Sequence, residues 1–148
     1  MDPDLLAFES LWIKPKNLTM HNLVQEKESK EYGACHFEID DKKVLFRSAK
    51  ITPTKTGQFV TLWKRIGNGP ILPFDQEDPI DLFIVSVRTP NHFGAFIFPK
   101  SILCEKGIIS HGGKEGKRAM RVYPSWDVAE NAQAKKTQKW QLLYFFKF

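Results

Sequence analysis

Apolar residues recur at helical spacing near both ends of the chain and at strand spacing between them. The predicted helices are residues 4–12, 23–30, 100–106 and 127–140. The first is amphipathic and the second is more charged and more exposed. Pro99 suits the first turn of the third helix and Gly107 closes it. An aromatic tail, residues 144–146, follows the fourth.

Alternating or β-branched stretches predict about six strands. They are residues 32–39, 44–51, 58–63, 82–87, 94–98 and 118–123. Residues 82–87 are nearly all apolar, which is typical of a central strand buried on both faces. No repeat, low-complexity tract or long linker divides residues 1–148. The pattern therefore predicts one mixed α/β (α+β) domain with a central mixed β-sheet flanked by helices.

Composition is that of an ordinary globular domain. The chain is 42% hydrophobic and 26% charged, and no apolar run reaches the roughly 20 residues that a membrane helix needs. A signal peptide begins with a basic segment followed by an apolar one, whereas residues 1–4 of this chain are acidic. Two cysteines, Cys35 and Cys104, form neither a disulfide framework nor a zinc quartet, and buried free thiols are expected. We expect a cytoplasmic protein without a membrane partner.

Charge is distributed unevenly along the chain. Residues 1–41 carry nine acids and four bases, whereas residues 42–65 carry seven bases and no acid. Residues 131–148 add four lysines, again without an acid. Uncompensated cations repel one another unless an anion relieves them, and nucleic acid is a common cellular polyanion. A solvated lysine-rich face is the alternative.

The strongest candidate site is residues 42–65, called here the basic hairpin. Cations, hydroxyls, an amide and aromatic rings are interleaved at short spacing, as a nucleic-acid strand requires for its phosphates and base faces. The candidate residues are Arg47, Lys50, Thr52, Lys55, Gln58, Trp63, Lys64 and Arg65. The alternative is an exposed cationic hairpin with Phe59 and Trp63 in the core.

A glycine-rich loop, residues 111–118, is the second candidate. Three glycines beside basic residues would let backbone amides approach a phosphate closely. Lys114, Lys117 and Arg118, followed by Arg121, are its candidate contacts. The loop does not match the phosphate-loop pattern of nucleotide hydrolases, and a mobile surface loop is the alternative.

Metal and acid–base chemistry have weaker support. The four histidines, His21, His36, His92 and His111, show no spacing that specifies a ligand set. The carboxylates that could cluster are Glu38, Asp40, Asp41 and Asp81, and solvated carboxylates are the alternative. We expect no metal and no cofactor.

Residues 46–65, with residues 81–88 and 96–100, resemble the MepB family of small bacterial proteins, which is named after a multidrug-efflux operon. The resemblance implies a fold similar to the PD-(D/E)XK nuclease core, a mixed sheet flanked by helices. In that core two acids on neighbouring strands hold Mg²⁺, and a lysine two residues after the second acid positions the attacking water.

Carried over to this chain, Lys50 takes the lysine position, Ser48 stands where the second acid should be, and Glu38 or Asp40 would replace the first. Replacing a carboxylate by a hydroxyl weakens a Mg²⁺ site. The resemblance thus implies a degenerate, non-catalytic nuclease scaffold that binds nucleic acid.

Three functions follow from the sequence. The first is a non-catalytic nucleic-acid binder that favours single-stranded DNA or RNA over duplex, because no duplex-reading element is present. The second is an active Mg²⁺-dependent nuclease with a migrated acid. The third is a protein-interaction module of a drug-resistance operon. Docking of the acidic segment, residues 75–81, on the basic hairpin remains open at this point.

Overall fold

A computed structural model describes all residues, 1–148. The helices are α1 (Pro3–Phe8), α2 (Lys100–Glu105) and α3 (Ala132–Gln141), and α1 continues into a π-helical segment at Glu9–Ile13. The strands are β1 (Met20–Gln25), β2 (Cys35–Ile39), β3 (Lys42–Ser48), β4 (Lys50–Ile51), β5 (Gln58–Thr61), β6 (Trp63–Arg65), β7 (Ile71–Pro73), β8 (Leu82–Thr89), β9 (His92–Pro99), β10 (Ala119–Val122) and β11 (Phe145–Lys147).

A six-stranded mixed sheet forms the centre, in the order β1-β2-β3-β8-β9-β11. Only β3 and β8 run parallel, with Val44 opposite Leu82 and Ser48 opposite Ser86. Strand β8 therefore has a neighbour on each side, and its residues 83–87 are buried. The predicted mixed α+β class and the central position of this strand are confirmed.

Two apolar layers cover the two faces of the central sheet. On one face α1 contributes Leu5 and Phe8 to a cluster with Phe37 and Phe46. On the other face lies a cluster that includes Val60 and Val122 of a second sheet, ordered β10-β5-β4. The second sheet thus packs on the side opposite α1, and this arrangement separates residues that are close in sequence.

The basic hairpin is divided between sheets at two points. Residues up to Ser48 stay in the central sheet, whereas Lys50 and Ile51 pair with β5 in the second sheet. The chain changes sheet again at Leu62, after which β6 pairs only with β7. The stretches at residues 44–51 and 58–63, each predicted as one strand, are therefore two strands each. The alternation of apolar and polar residues continues past the point where the chain changes the strand with which it pairs.

One prediction of secondary structure was wrong. Residues 23–30, predicted as a helix, belong partly to β1 and otherwise to a loop, because pairing with β2 along an irregular register overrides helix propensity. The aromatic tail, for which no element was predicted, forms β11 at the edge of the central sheet, where Phe145 pairs with Phe96.

Both cysteines are free and buried, as predicted. Burial raises the pKa of the Cys35 thiol to about 12, with the Arg47 guanidinium acting in the opposite direction. Cys35 is therefore a packing residue in its protonated form. None of the helices combines the length and the apolar character needed to cross a bilayer.

Candidate nucleic-acid interface

A cleft of about 650 Å³ lies between the second sheet and α3, and we call it the basic cleft. Its basic residues are Lys55, Lys106, Lys117 and Arg121, against a single acid, Glu130. Residues from β10, α3, the β4–β5 loop and the segment after α2 meet there. The cleft therefore carries an excess of three positive charges in a concave surface.

Gln141 fixes α3 to the edge of the second sheet. Its buried amide donates to the Arg121 carbonyl oxygen at 3.0 Å and accepts from the Tyr123 N–H at 2.9 Å. These two backbone groups would otherwise be unpaired on that edge of the second sheet. Asn131 caps the start of the same helix by accepting from the Ala134 N–H at 2.8 Å. One wall of the cleft is thus held in a defined position.

Gln141→Leu should destabilise the protein by about 1–3 kcal/mol, because it leaves two partly buried backbone groups without partners. Chemical denaturation monitored by tryptophan fluorescence measures the change. Gln133→Leu, an exposed position on the same helix, is the matched control and should shift stability by less than about 0.5 kcal/mol. Equal effects of the two substitutions would contradict this role for Gln141.

Arg121 is held at the cleft by groups of the β4–β5 loop. Its guanidinium donates to the Thr52 hydroxyl at 3.0 Å and to the Thr56 and Gly57 carbonyl oxygens at 3.3 Å each. No carboxylate lies within ion-pair distance of Arg121, Lys55 or Lys117. These three cations are therefore uncompensated.

The glycine-rich loop contributes to the cleft in a different way from the one predicted. A Cβ at Gly116 would overlap the Ile108 carbonyl oxygen, and the Gly116 N–H donates to the Ser110 hydroxyl at 2.7 Å. The close approach that requires this glycine is to the protein's own backbone rather than to a phosphate. Its effect is to place Lys117 at the cleft, whereas Lys114 is exposed outside it.

Two rings line the cleft. Tyr123 lies against Gly57, where a Cβ would be 2.7 Å from the ring, and Trp140 packs on Phe98 with ring centroids 5.6 Å apart. Both are partly exposed. Trp63, the predicted stacking ring, lies on β6 outside the cleft, with the Arg65 guanidinium 5.5 Å from its centroid.

Two predicted contact residues are buried, which corrects their assignment. Arg47 is 2% exposed and pairs with Glu26 at 2.7 Å. Gln58 is 1% exposed and donates to the Arg88 carbonyl oxygen at 3.3 Å. Neither side chain is accessible to a polyanion, because β3 and β5 turn them toward the interior.

Three further predicted cations are paired within the protein. Arg65 contacts Glu28 at 3.0 Å, Lys64 contacts Asp78 at 2.8 Å, and Arg118 contacts Glu115 at 3.0 Å. The Lys64–Asp78 pair shows that the acidic segment does dock on the basic hairpin, at β6. These pairs leave Lys50, Lys55, Lys117 and Arg121 as the predicted cations without a carboxylate partner, together with the exposed Lys114.

The sequence-based site omitted a set of lysines on α3. Lys135, Lys136 and Lys139 are exposed, form no ion pair, and lie on the helix that walls the cleft. Lys106 was also missed. The absence of acids after residue 130 was the signal for the α3 lysines, whereas Lys106 is adjacent to Glu105 in sequence and gives no such signal.

The residues carried over from the nuclease core do not meet. In the antiparallel register Glu38 lies opposite Lys43, five residues along β3 from Ser48, a separation of about 17 Å. Glu38 also faces away from Ser48 across the sheet, because side chains alternate along β3. Its neighbours are Asn22, which donates to it at 2.6 Å, and His21.

Ser48 itself is buried and accepts from the Ser86 hydroxyl at 2.9 Å. The carboxylate beside it is Asp2, 3.3 Å away, which already caps α1 by accepting from the Asp4 and Leu5 N–H groups. Asp40 lies in the β2–β3 turn. No group of three histidine, cysteine or acidic side chains could hold a metal ion, so these residues do not fit a Mg²⁺ site.

Comparison with known proteins agrees with this architecture. The family model described as MepB-like matches residues 26–147, and the chain therefore belongs to the MepB-like family. A crystal structure of MepB is similar over 99% of this chain and 97% of that chain, with 34% identity and a TM-score of 0.85. No curated protein matches the chain. The family indicated by residues 46–65 is thereby confirmed.

Proposed function

We propose that this chain binds nucleic acid in the basic cleft, without catalysis, and favours single strands over duplex. The observation that carries the proposal is the convergence of Lys55, Lys117 and Arg121, none of which has a carboxylate partner, on one concave surface beside two partly exposed rings. Cations for phosphates and rings for base faces are the combination used by proteins that bind single strands.

The shape of the site supports single strands. Arg121, Lys55 and the rings lie inside a cleft rather than on a projecting helix, so a flexible strand can enter where a rigid duplex would contact only the rim. The lysines of α3 continue the positive surface beyond the rim. The cleft has no projecting helix or strand whose side chains could contact base edges in a groove of a duplex. Most of the affinity would therefore come from contacts with phosphates.

The non-catalytic part of the proposal rests on the residues at the nuclease positions. Ser48 and its partner Ser86 are buried hydroxyls, and Glu38 is on the other face of the sheet. We infer that the scaffold is a degenerate relative of the PD-(D/E)XK core, in which the positive surface is retained and the metal ligands are not.

Fluorescence anisotropy with labelled single-stranded and duplex oligonucleotides tests the proposal. The cleft supplies four basic residues and α3 adds three exposed lysines, so we expect about four to seven phosphate contacts. This number predicts a slope of about −3 to −5 for the logarithm of the association constant against the logarithm of the salt concentration with single-stranded nucleic acid. Addition of Mg²⁺ should weaken binding by competition and leave the probe intact. Absence of salt-dependent binding would overturn the proposal, and a shortened probe would overturn its non-catalytic part.

A further inference from the structure

Lys50 is an exposed cation that does not line the basic cleft. On β4 it lies opposite Phe59 of β5, and Phe59 lies opposite Arg121 of β10 on its other side. Residues directly opposite one another in a sheet project from the same face. Lys50, Phe59 and Arg121 therefore form a row across the three strands of the second sheet, which we call the cation–ring row.

The cation–ring row lies on the outer face of the second sheet. Side chains alternate along β5, and Val60, the next residue, is buried in the cluster between the two sheets. Phe59 therefore points away from the central sheet, and it is partly exposed. It is not the core residue that a purely structural hairpin would have at this position.

A second partly exposed ring, that of Tyr32, adjoins the row. Tyr32 and Phe59 meet edge to face with their ring centroids 6.3 Å apart. The Lys50 amino group lies 5.0 Å from the Tyr32 centroid, and the Arg121 guanidinium lies 5.9 Å from the Phe59 centroid. Neither cation is within ion-pair distance of a carboxylate. Each ring thus has an uncompensated cation beside it.

Arg121 belongs both to the cation–ring row and to the basic cleft. Its guanidinium is held at this boundary by the Thr52 hydroxyl and by two carbonyl oxygens of the β4–β5 loop. From β10 to β4 the row extends the positive surface by two strand spacings, about 10 Å. A nucleic-acid strand that contacts Arg121 in the cleft can therefore continue over the outer face toward Lys50.

We propose that the cation–ring row is a second part of the nucleic-acid site, in which a base stacks on Phe59 and Tyr32 while neighbouring phosphates contact Lys50 and Arg121. This inference rests on the function proposed above. Every base has a π-face, so stacking on the row adds affinity without a preference for one base. A duplex keeps its bases stacked on one another, so only a single strand offers a free base face to these rings.

The experiment measures, by fluorescence anisotropy, the affinities of a thymine strand of about 12 nucleotides and of an abasic strand with the same number of phosphates. Phe59→Leu keeps an apolar side chain and removes the ring. It should weaken binding of the thymine strand about tenfold, the usual effect of losing one stacked base, and leave the abasic strand unaffected. Tyr32→Leu should give the same selective loss, and it keeps the test decisive if Phe59→Leu does not fold.

Two further variants separate the ring from the charge. Trp63→Leu removes a partly exposed ring that lies outside the cleft and the row, and it should change neither affinity. Lys50→Gln should weaken both strands alike and lower the salt slope by about 0.7, the value for one phosphate contact with a single strand.

The outcomes distinguish this inference from the proposed function. If the unaltered chain binds the thymine strand, and neither Phe59→Leu nor Tyr32→Leu weakens it more than the abasic strand, the cation–ring row is overturned and the proposed function stands. If the unaltered chain binds neither strand, the proposed function is overturned and this inference with it.

Discussion

Lys55→Glu combined with Lys117→Glu should weaken the binding of a single-stranded oligonucleotide at least tenfold at about 0.1 M salt. Both lysines line the basic cleft, from different segments of the chain. Neither forms an ion pair with a carboxylate, so the two substitutions break no ion pair within the protein. Loss of two phosphate contacts should also reduce the salt slope by about 1.4. Anisotropy titrations at several salt concentrations measure the affinity and the slope together.

Lys42→Glu with Lys43→Glu is the matched control. It makes the same change in net charge on exposed lysines of β3 outside the basic cleft. If binding depended only on net charge, both double variants would lose affinity equally. If the oligonucleotide binds in the basic cleft, only the Lys55 and Lys117 variant should lose affinity. Equal losses of affinity in the two double variants would therefore contradict the cleft as the binding surface.

Glu26→Ala should lower the free energy of unfolding by about 3 kcal/mol, because it leaves the Arg47 guanidinium buried without its counter-charge. Arg47 has a side-chain exposure of 3%, and its Nε already lacks a partner. Burial lowers the pKa of Arg47 and the Glu26 carboxylate acts in the opposite direction. The effect belongs at the lower end of the range for buried pairs because Glu26 is 26% exposed.

Urea denaturation measures this loss, and two further variants interpret it. Glu28→Ala removes the exposed partner of Arg65 and should leave the free energy of unfolding almost unchanged, because solvent screens an exposed ion pair. Arg47→Met combined with Glu26→Leu replaces the pair by apolar groups and should recover much of the stability. A loss at Glu28 as large as that at Glu26 would show that burial of the pair is not the cause.

Much of the fold could be predicted from periodicity alone. The apolar run at residues 82–87 specified a central strand because burial on both faces leaves few polar positions, and Pro99 placed the start of α2. The helix predicted at residues 23–30 failed because residues 23–25 end the edge strand β1 and the charged residues that follow lie in an exposed loop. The local pattern of charged and polar residues does not distinguish an exposed helix from an exposed loop.

The site was less predictable than the fold. Charge counting identified Lys55, Lys117 and Arg121 as candidates for one partner, but it treated the basic hairpin as one surface. Arg47 and Lys50 are three residues apart, yet one is buried against Glu26 and the other is exposed on the second sheet. The change of sheet at Ala49 depends on tertiary pairing with β8 and β5, and no residue pattern announces it.

The connection between β3 and β8 contains β4–β7, and the second sheet is completed only by β10, from late in the chain. Lys55 and Arg121 are thus brought together by a non-local pairing whose loop-closure entropy must be overcome during folding. A chain that had formed its central sheet alone would expose these cations without the concave surface. Under the proposed function, the ability to bind a single-stranded nucleic acid would then arise late in folding. It would be a property of the completed fold rather than of any segment within it.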